Sequence, residues 1–168
     1  EALGIDPDCL DAYRQLARVY RHAAMYDELS AVLERHAAIV GSVSERAELL
    51  LERARIAQER LGAIEVAANT YLRVISDDVA SVESTTAALD ALIRMRSTQA
   101  EREVFRERLT DRLDRLTTPR DRGWLLSLRA HLLLNGLKQE ALAREDFALS
   151  LEADPDYGPS LMALAQLN

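Results

Sequence analysis

DPDCLDAYRQLARVYRHAAMYDELSAVLERH, residues Asp6 to His36, reads as one complete helix–turn–helix unit. Leu10, Tyr13, Leu16, Ala17 and Tyr20 form an apolar stripe at helical spacing behind a proline-marked start. A short break around Ala24 follows, and Tyr26, Leu29, Val32, Leu33 and His36 make a second stripe. Two short amphipathic helices joined this closely pack antiparallel, and neither can bury its apolar face alone. Similar units recur along the chain. Corresponding first-helix anchors fall at Tyr13, Leu50, Leu89, Leu125 and Leu161. Three residues beyond each anchor stand Leu16, Arg53, Leu92, Leu128 and Leu164, followed by Ala17, Ala54, Ile93, Arg129 and Ala165. Small residues there let paired helices approach closely, and Arg53 and Arg129 interrupt that pattern.

Helix boundaries carry their own markers. Asp6-Pro7, Thr118-Pro119 and Asp154-Pro155 place a capping side chain before a proline suited to a first helical turn. Ser42 with Glu45 and Thr98 with Glu101 have the spacing of capping boxes, and Gly62 and Gly136 fall where helices should end. These signals predict helices over 8–22, 25–40, 44–61, 63–76, 79–96, 99–116, 119–135, 138–153 and 157–167. The expected units run over 7–41, 42–78, 79–117, 118–154 and, in part, 155–168, within one domain spanning 1–168.

Composition agrees. The 168 residues are 48% hydrophobic with only 6 Gly and 4 Pro, so neither disorder nor a many-turned β architecture is expected. A net charge of −7 argues against general nucleic-acid binding, which calls for a basic surface. The single cysteine, Cys9, excludes an intrachain disulfide. No apolar run approaches the roughly 20 residues that cross a bilayer, and no signal-peptide pattern is visible, which favours a cytoplasmic setting. The chain opens without Met and in mid-pattern, as expected of a piece of a longer bacterial protein.

Tyr13, Leu16, Ala17, Tyr20, Leu29 and Leu33, with Asp6-Pro7 before them, resemble the tetratricopeptide repeat. In the second unit the likeness rests on Leu50, Ala54, Gly62, Ala67, Ala68 and Tyr71. Leu151 to Pro155 resembles the end of such a repeat, as does Glu1 to Pro7. The resemblance spans nearly the whole chain, with repeats longer than the family's usual 34 residues. It implies a right-handed α-solenoid of antiparallel helix pairs, about four repeats plus a terminal helix.

The resemblance also implies a concave groove, lined by first helices, that binds a partner protein or peptide. On that face, five residues after their anchors, lie Arg18, Arg55 and Arg94, and Arg14 and Arg21 flank Arg18 at helical spacing. Such a row suits a partner's carboxylates through forked, charge-assisted hydrogen bonds. The bland alternative is self-pairing with Asp11, Glu48, Glu59 and Asp90, which lie near the same face. The family's carboxylate clamp uses Lys and Asn that this groove lacks.

Leu51, Leu126 and Leu133 read as core or as an apolar groove floor, and Trp124 as interhelix packing or a partner hot spot. Glu101 to Leu116 reads as a charged outer helix with pairs Glu103–Arg106 and Asp111–Arg115. His22, His36 and His131 lack ligand spacing, and no phosphate loop or nucleophile motif is present. No enzymatic activity, metal or cofactor is expected. The alternative function is self-assembly within a larger protein, through the Leu161, Leu164 and Leu167 stripe of the last helix.

Overall fold

A computed structural model of the chain describes residues 10–95 and 98–167. The expectations for Cys9 and for the segment Glu1 to Pro7 with its Asp6-Pro7 cap lie outside the described residues. Among those described, the chain is all-helical, with nine α-helices: α1 Leu10–His22, α2 Tyr26–Ile39, α3 Val43–Glu59, α4 Ile64–Ser76, α5 Val82–Arg94, α6 Gln99–Arg115, α7 Pro119–His131, α8 Glu140–Ala153 and α9 Gly158–Leu167. A π-helical segment, Leu132–Leu137, extends α7.

Two compact units divide the chain: Glu1–Val74 with Val79–Ser84, and Ile75–Asp78 with Thr85–Asn168. Within the first, α1 packs on α2 and α2 on α3. The core there is Tyr13 and Ala17 of α1, Leu29, Val32 and Leu33 of α2, and Ile56 of α3. Ala24, at a φ of 54°, makes the break between α1 and α2. Within the second unit α6, α7, α8 and α9 pack in succession. Ala130, Leu133, Leu137, Ala143, Phe147 and Ala163 form a core cluster. Leu51, Leu126 and Leu133 are buried, so they are packing residues and not an exposed groove floor.

Helices α3 and α4 recur as α7 and α8 at a spacing of 76 residues. The starts Val43 and Ile64 correspond to Pro119 and Glu140. Buried Leu50, Ala54, Ala67 and Tyr71 correspond to Leu126, Ala130, Ala143 and Phe147. At the turn between them, Ala63 N–H donates to Ala57 O at 2.8 Å, and Gln139 N–H to Leu133 O at 2.9 Å. The left-handed residue of that turn is Gly62 in one case and Lys138 in the other, at φ 63° and 61°. Gly136 therefore does not turn the chain, because the wider π-helical turn carries the helix past it. A side chain there would meet Leu132 Cδ1 at 2.9 Å. The anchor that matches Leu50 is Leu126, one residue beyond Leu125.

This register also explains the two arginines that interrupt the small-residue pattern. Arg53 places Nε 3.2 Å from Glu34 of α2 and donates to Thr70 Oγ1 of α4. Arg129, 76 residues on, donates to Thr110 of α6 at 2.9 Å and twice to Asp146 of α8 at 2.7 Å. Acid and threonine have exchanged sides around an unchanged cation. Each guanidinium ties its own helix to the helix before and the helix after.

Caps follow the sequence in part: Thr118 precedes Pro119 of α7 but makes no side-chain cap bond, and Asp154 ends α8 and does not cap α9. Thr98 and Glu101 complete a reciprocal capping box. Ser42 accepts from Glu45 N–H, but the Glu45 carboxylate is turned to Arg14 and not back to the cap. In α6, Phe105, Leu109, Leu113 and Arg112 are buried, so the helix is less solvated than its charge suggests. Arg106 pairs with Glu103 at 2.6 Å, whereas Arg115 pairs with Asp78 at 2.7 Å and not with Asp111.

Asp146 is buried, so removing its carboxylate leaves Arg129 without its main counter-charge. Asp146→Ala is expected to cost about 2–4 kcal/mol in urea unfolding followed by Trp124 fluorescence, with Arg129→Met/Asp146→Leu recovering at least part of it. A loss below about 0.5 kcal/mol would show that the pair is solvated and does not organise the helices.

Candidate functional site

Helix α1 buries Tyr13 and Ala17 against α2. Arg14, Arg18 and Arg21 follow at spacings of four and three, so they share the shoulder beside that buried stripe. Glu45, Leu49 and Glu52 repeat the same spacing on α3. The result is a ladder. Arg14 Nη2 donates to Glu45 Oε1 at 2.9 Å, with a second contact to Asp11 at 3.2 Å. Arg21 donates to Glu52 Oε1 from Nε at 2.9 Å and from Nη2 at 2.6 Å. Both rungs join residues 31 apart.

The same offset puts Leu49 opposite Arg18. Arg18 is exposed and makes no ion pair or hydrogen bond among the described residues. Between the two closed rungs lies a cleft of about 370 Å³, walled by Arg18 and Glu48 and floored by Ala17, Leu33, Leu49 and His36. Beyond the Arg21–Glu52 rung a smaller cleft of about 210 Å³ is lined by Tyr26, Arg55, Ile56, Glu59 and Arg60. The Arg60 guanidinium lies over the Tyr26 ring, 5.4 Å from its centroid. Arg94 ends α5 in the second compact unit, where it is exposed. The first unit thus gathers Arg14, Arg18, Arg21 and Arg55 about two adjoining clefts.

His36 is 2% exposed, and neither ring nitrogen has a hydrogen-bond partner. Its ring stacks on Tyr13 with centroids 5.9 Å apart and an interplanar angle of 11°. Nε2 stands 3.6 Å from Glu45 Oε1, too far for a good hydrogen bond. Burial pushes the His36 pKa below the ordinary value of 6.5; Glu45 pulls it back up, and Arg14 lowers it. The imidazole is therefore neutral at pH 7, with one N–H and one lone pair, both buried at the edge of the cleft.

The second unit treats the equivalent positions differently. Arg112 occupies the place of His36 and is 1% exposed. It donates to Thr85 Oγ1 at 2.8 Å and to Ile75 O at 3.3 Å. Trp124, in the place of Glu48, covers its guanidinium at 5.1 Å. That position is sealed by packing.

Sequence reasoning placed the arginines but missed Glu45 and Glu52 as their partners. The signal was present: Arg14 and Arg21 are seven residues apart, and so are Glu45 and Glu52. Among the described residues, no three His, Cys, Asp or Glu side chains gather as a metal site, and no helix is long and apolar enough to cross a membrane. Comparison with protein-family models, curated proteins and solved structures finds no match.

The lowered pKa of His36 has a definite sign. The unfolded chain takes up this proton near pH 6.5, before the folded chain does, so the contribution is full above that pH and lost below it. The melting temperature should fall between about pH 7.5 and pH 5.5, and His36→Leu should flatten that dependence. Equal slopes in the two proteins would assign the effect to other groups.

Proposed function

We propose that the chain is a protein-binding scaffold and not an enzyme, built as a right-handed α-solenoid of helix pairs resembling tetratricopeptide repeats. Its partner is a protein or peptide with an acidic segment, and the α1–α3 face receives it. The observation that carries this reading is a cleft in which Arg14 and Arg21 are held in place while Arg18, between them, has no acceptor. The 76-residue recurrence of α3–α4 as α7–α8 favours a repeat array. Helix pairs of this kind present fixed side chains on adjoining helices, so a partner binds with little rearrangement. Arg55 extends the basic lining within the first unit, and Arg94 is the candidate from the second.

A second reading, self-association within a larger assembly, draws on α8 and α9. Of the expected stripe only Leu161 is exposed, because Leu164 and Leu167 pack against the core cluster of the second unit; Leu142, Leu149 and Met162 are the other exposed large apolar side chains there. Sedimentation over a range of concentrations separates the two, because only self-association makes the mass depend on concentration.

The immobilised chain should retain a specific protein from the source cell's lysate at about 50 mM salt and less of it at about 300 mM, where screening is stronger. An Arg14/Arg18/Arg21/Arg55→Gln variant should lose it. Arg94→Gln, assayed separately, decides whether the contact reaches the second unit. The same protein held equally by the fourfold variant would contradict the proposal.

A further inference from the structure

We propose that the open middle rung of the α1–α3 ladder is a subsite for one Asp or Glu side chain of the partner, which Arg18 holds above Leu49 and His36. The inference rests on the acidic-partner reading and locates its recognition chemistry. The ladder supplies the first argument. At the offset that joins Arg14 to Glu45 and Arg21 to Glu52, the third cation meets a leucine, so one carboxylate is missing from an otherwise closed set. An incoming carboxylate completes it without displacing either existing pair.

His36 supplies the second, independent argument. A buried imidazole with both nitrogens unpartnered is costly to keep, and here it lines the cleft. Both nitrogens are shut from solvent in the free chain, so the N–H of the neutral form meets an oxygen held by Arg18 once that acid parts the packing over the ring. Ala17, Leu33 and Leu49 make part of the floor apolar, and a charge-assisted bond beside apolar surface is stronger than one fully in water.

The second unit supplies the third. There the residue matching His36 is a cation already bonded to Thr85 and capped by Trp124, so the corresponding place is filled from within. The first unit has Glu48 at the capping position, exposed and 3.5 Å from the Ser44 hydroxyl. Glu48 repels an anion, so it tunes the site downward. That gives the proposal a consequence of opposite sign: neutralising Glu48 should tighten binding.

The test is fluorescence anisotropy with a labelled decaglutamate peptide, N-acetylated and C-terminally amidated so that side chains supply all its charge, against the matching decaglutamine. Wild type should bind the glutamate peptide and not the glutamine one. Arg18→Gln should weaken binding roughly tenfold, the scale of one charge-assisted hydrogen bond. Leu49→Glu, which supplies the missing acid from within the chain, should weaken it similarly. Glu48→Gln should strengthen it, and Arg94→Gln should leave it unchanged. Circular dichroism checks that Leu49→Glu is folded; if it is not, Arg18→Gln at its exposed position decides alone. Equal affinity of wild type and Arg18→Gln, with loss in Arg14/Arg21→Gln, would overturn the subsite and leave the acidic-partner reading standing. Failure of wild type to prefer glutamate over glutamine would overturn both.

Discussion

A guanidinium cannot be left unpaired between packed helices, and that constraint fixes much of this structure. Arg53 and Arg129 each stand at a position where a small or apolar residue would suit close helix packing. Each is accommodated because the preceding and following helices bring it an acid or a threonine. The fully buried alanines beside them, Ala54 and Ala130, keep the backbones close enough for those contacts. Removing one partner of such a pair leaves a desolvated charge, which costs far more than a surface ion pair contributes. The helices before and after are thereby held in register.

The same logic of charge and register produces the cleft. Arg14–Glu45 and Arg21–Glu52 are exposed, so they add little stability. Their consequence is positional: with α1 and α3 placed by their shared core, the two pairs engage Arg14 and Arg21 and leave Arg18 between them over a leucine. Burial of His36 beneath the same opening adds a polar group with no partner of its own. In the second unit, Arg112 at the equivalent position donates to Thr85 and to Ile75 O and lies under Trp124. Two copies of one helical arrangement thus differ in whether a buried polar position is bonded from within or left without a hydrogen-bond partner.

Much of the architecture was legible in the sequence because helical periodicity and caps are local signals. The break at Ala24, the capping box at Thr98 and the turn at Gly62 needed only neighbouring residues to be read. The arginine row was legible for the same reason, as one face of α1. What escaped was non-local. Glu45 and Glu52 become partners only when α3 lies beside α1, and Arg115 finds Asp78 in place of Asp111 only once α6 is packed. Gly136 misled because a π-helical turn postponed the helix end to Lys138. The choice of Leu125 over Leu126 as anchor hid the equivalence of Arg53 and Arg129, and with it the difference between His36 and Arg112.

The most direct test of the account is to follow arginine Nε–Hε and histidine ring signals by NMR while blocked decaglutamate is added. Signals of Arg18 and His36 are predicted to shift first and saturate together, with Arg14 and Arg21 still paired to Glu45 and Glu52. Shifts spread evenly over the exposed arginines, or confined to the second unit, would contradict the claim that the open rung of the ladder is where an acidic partner is recognised.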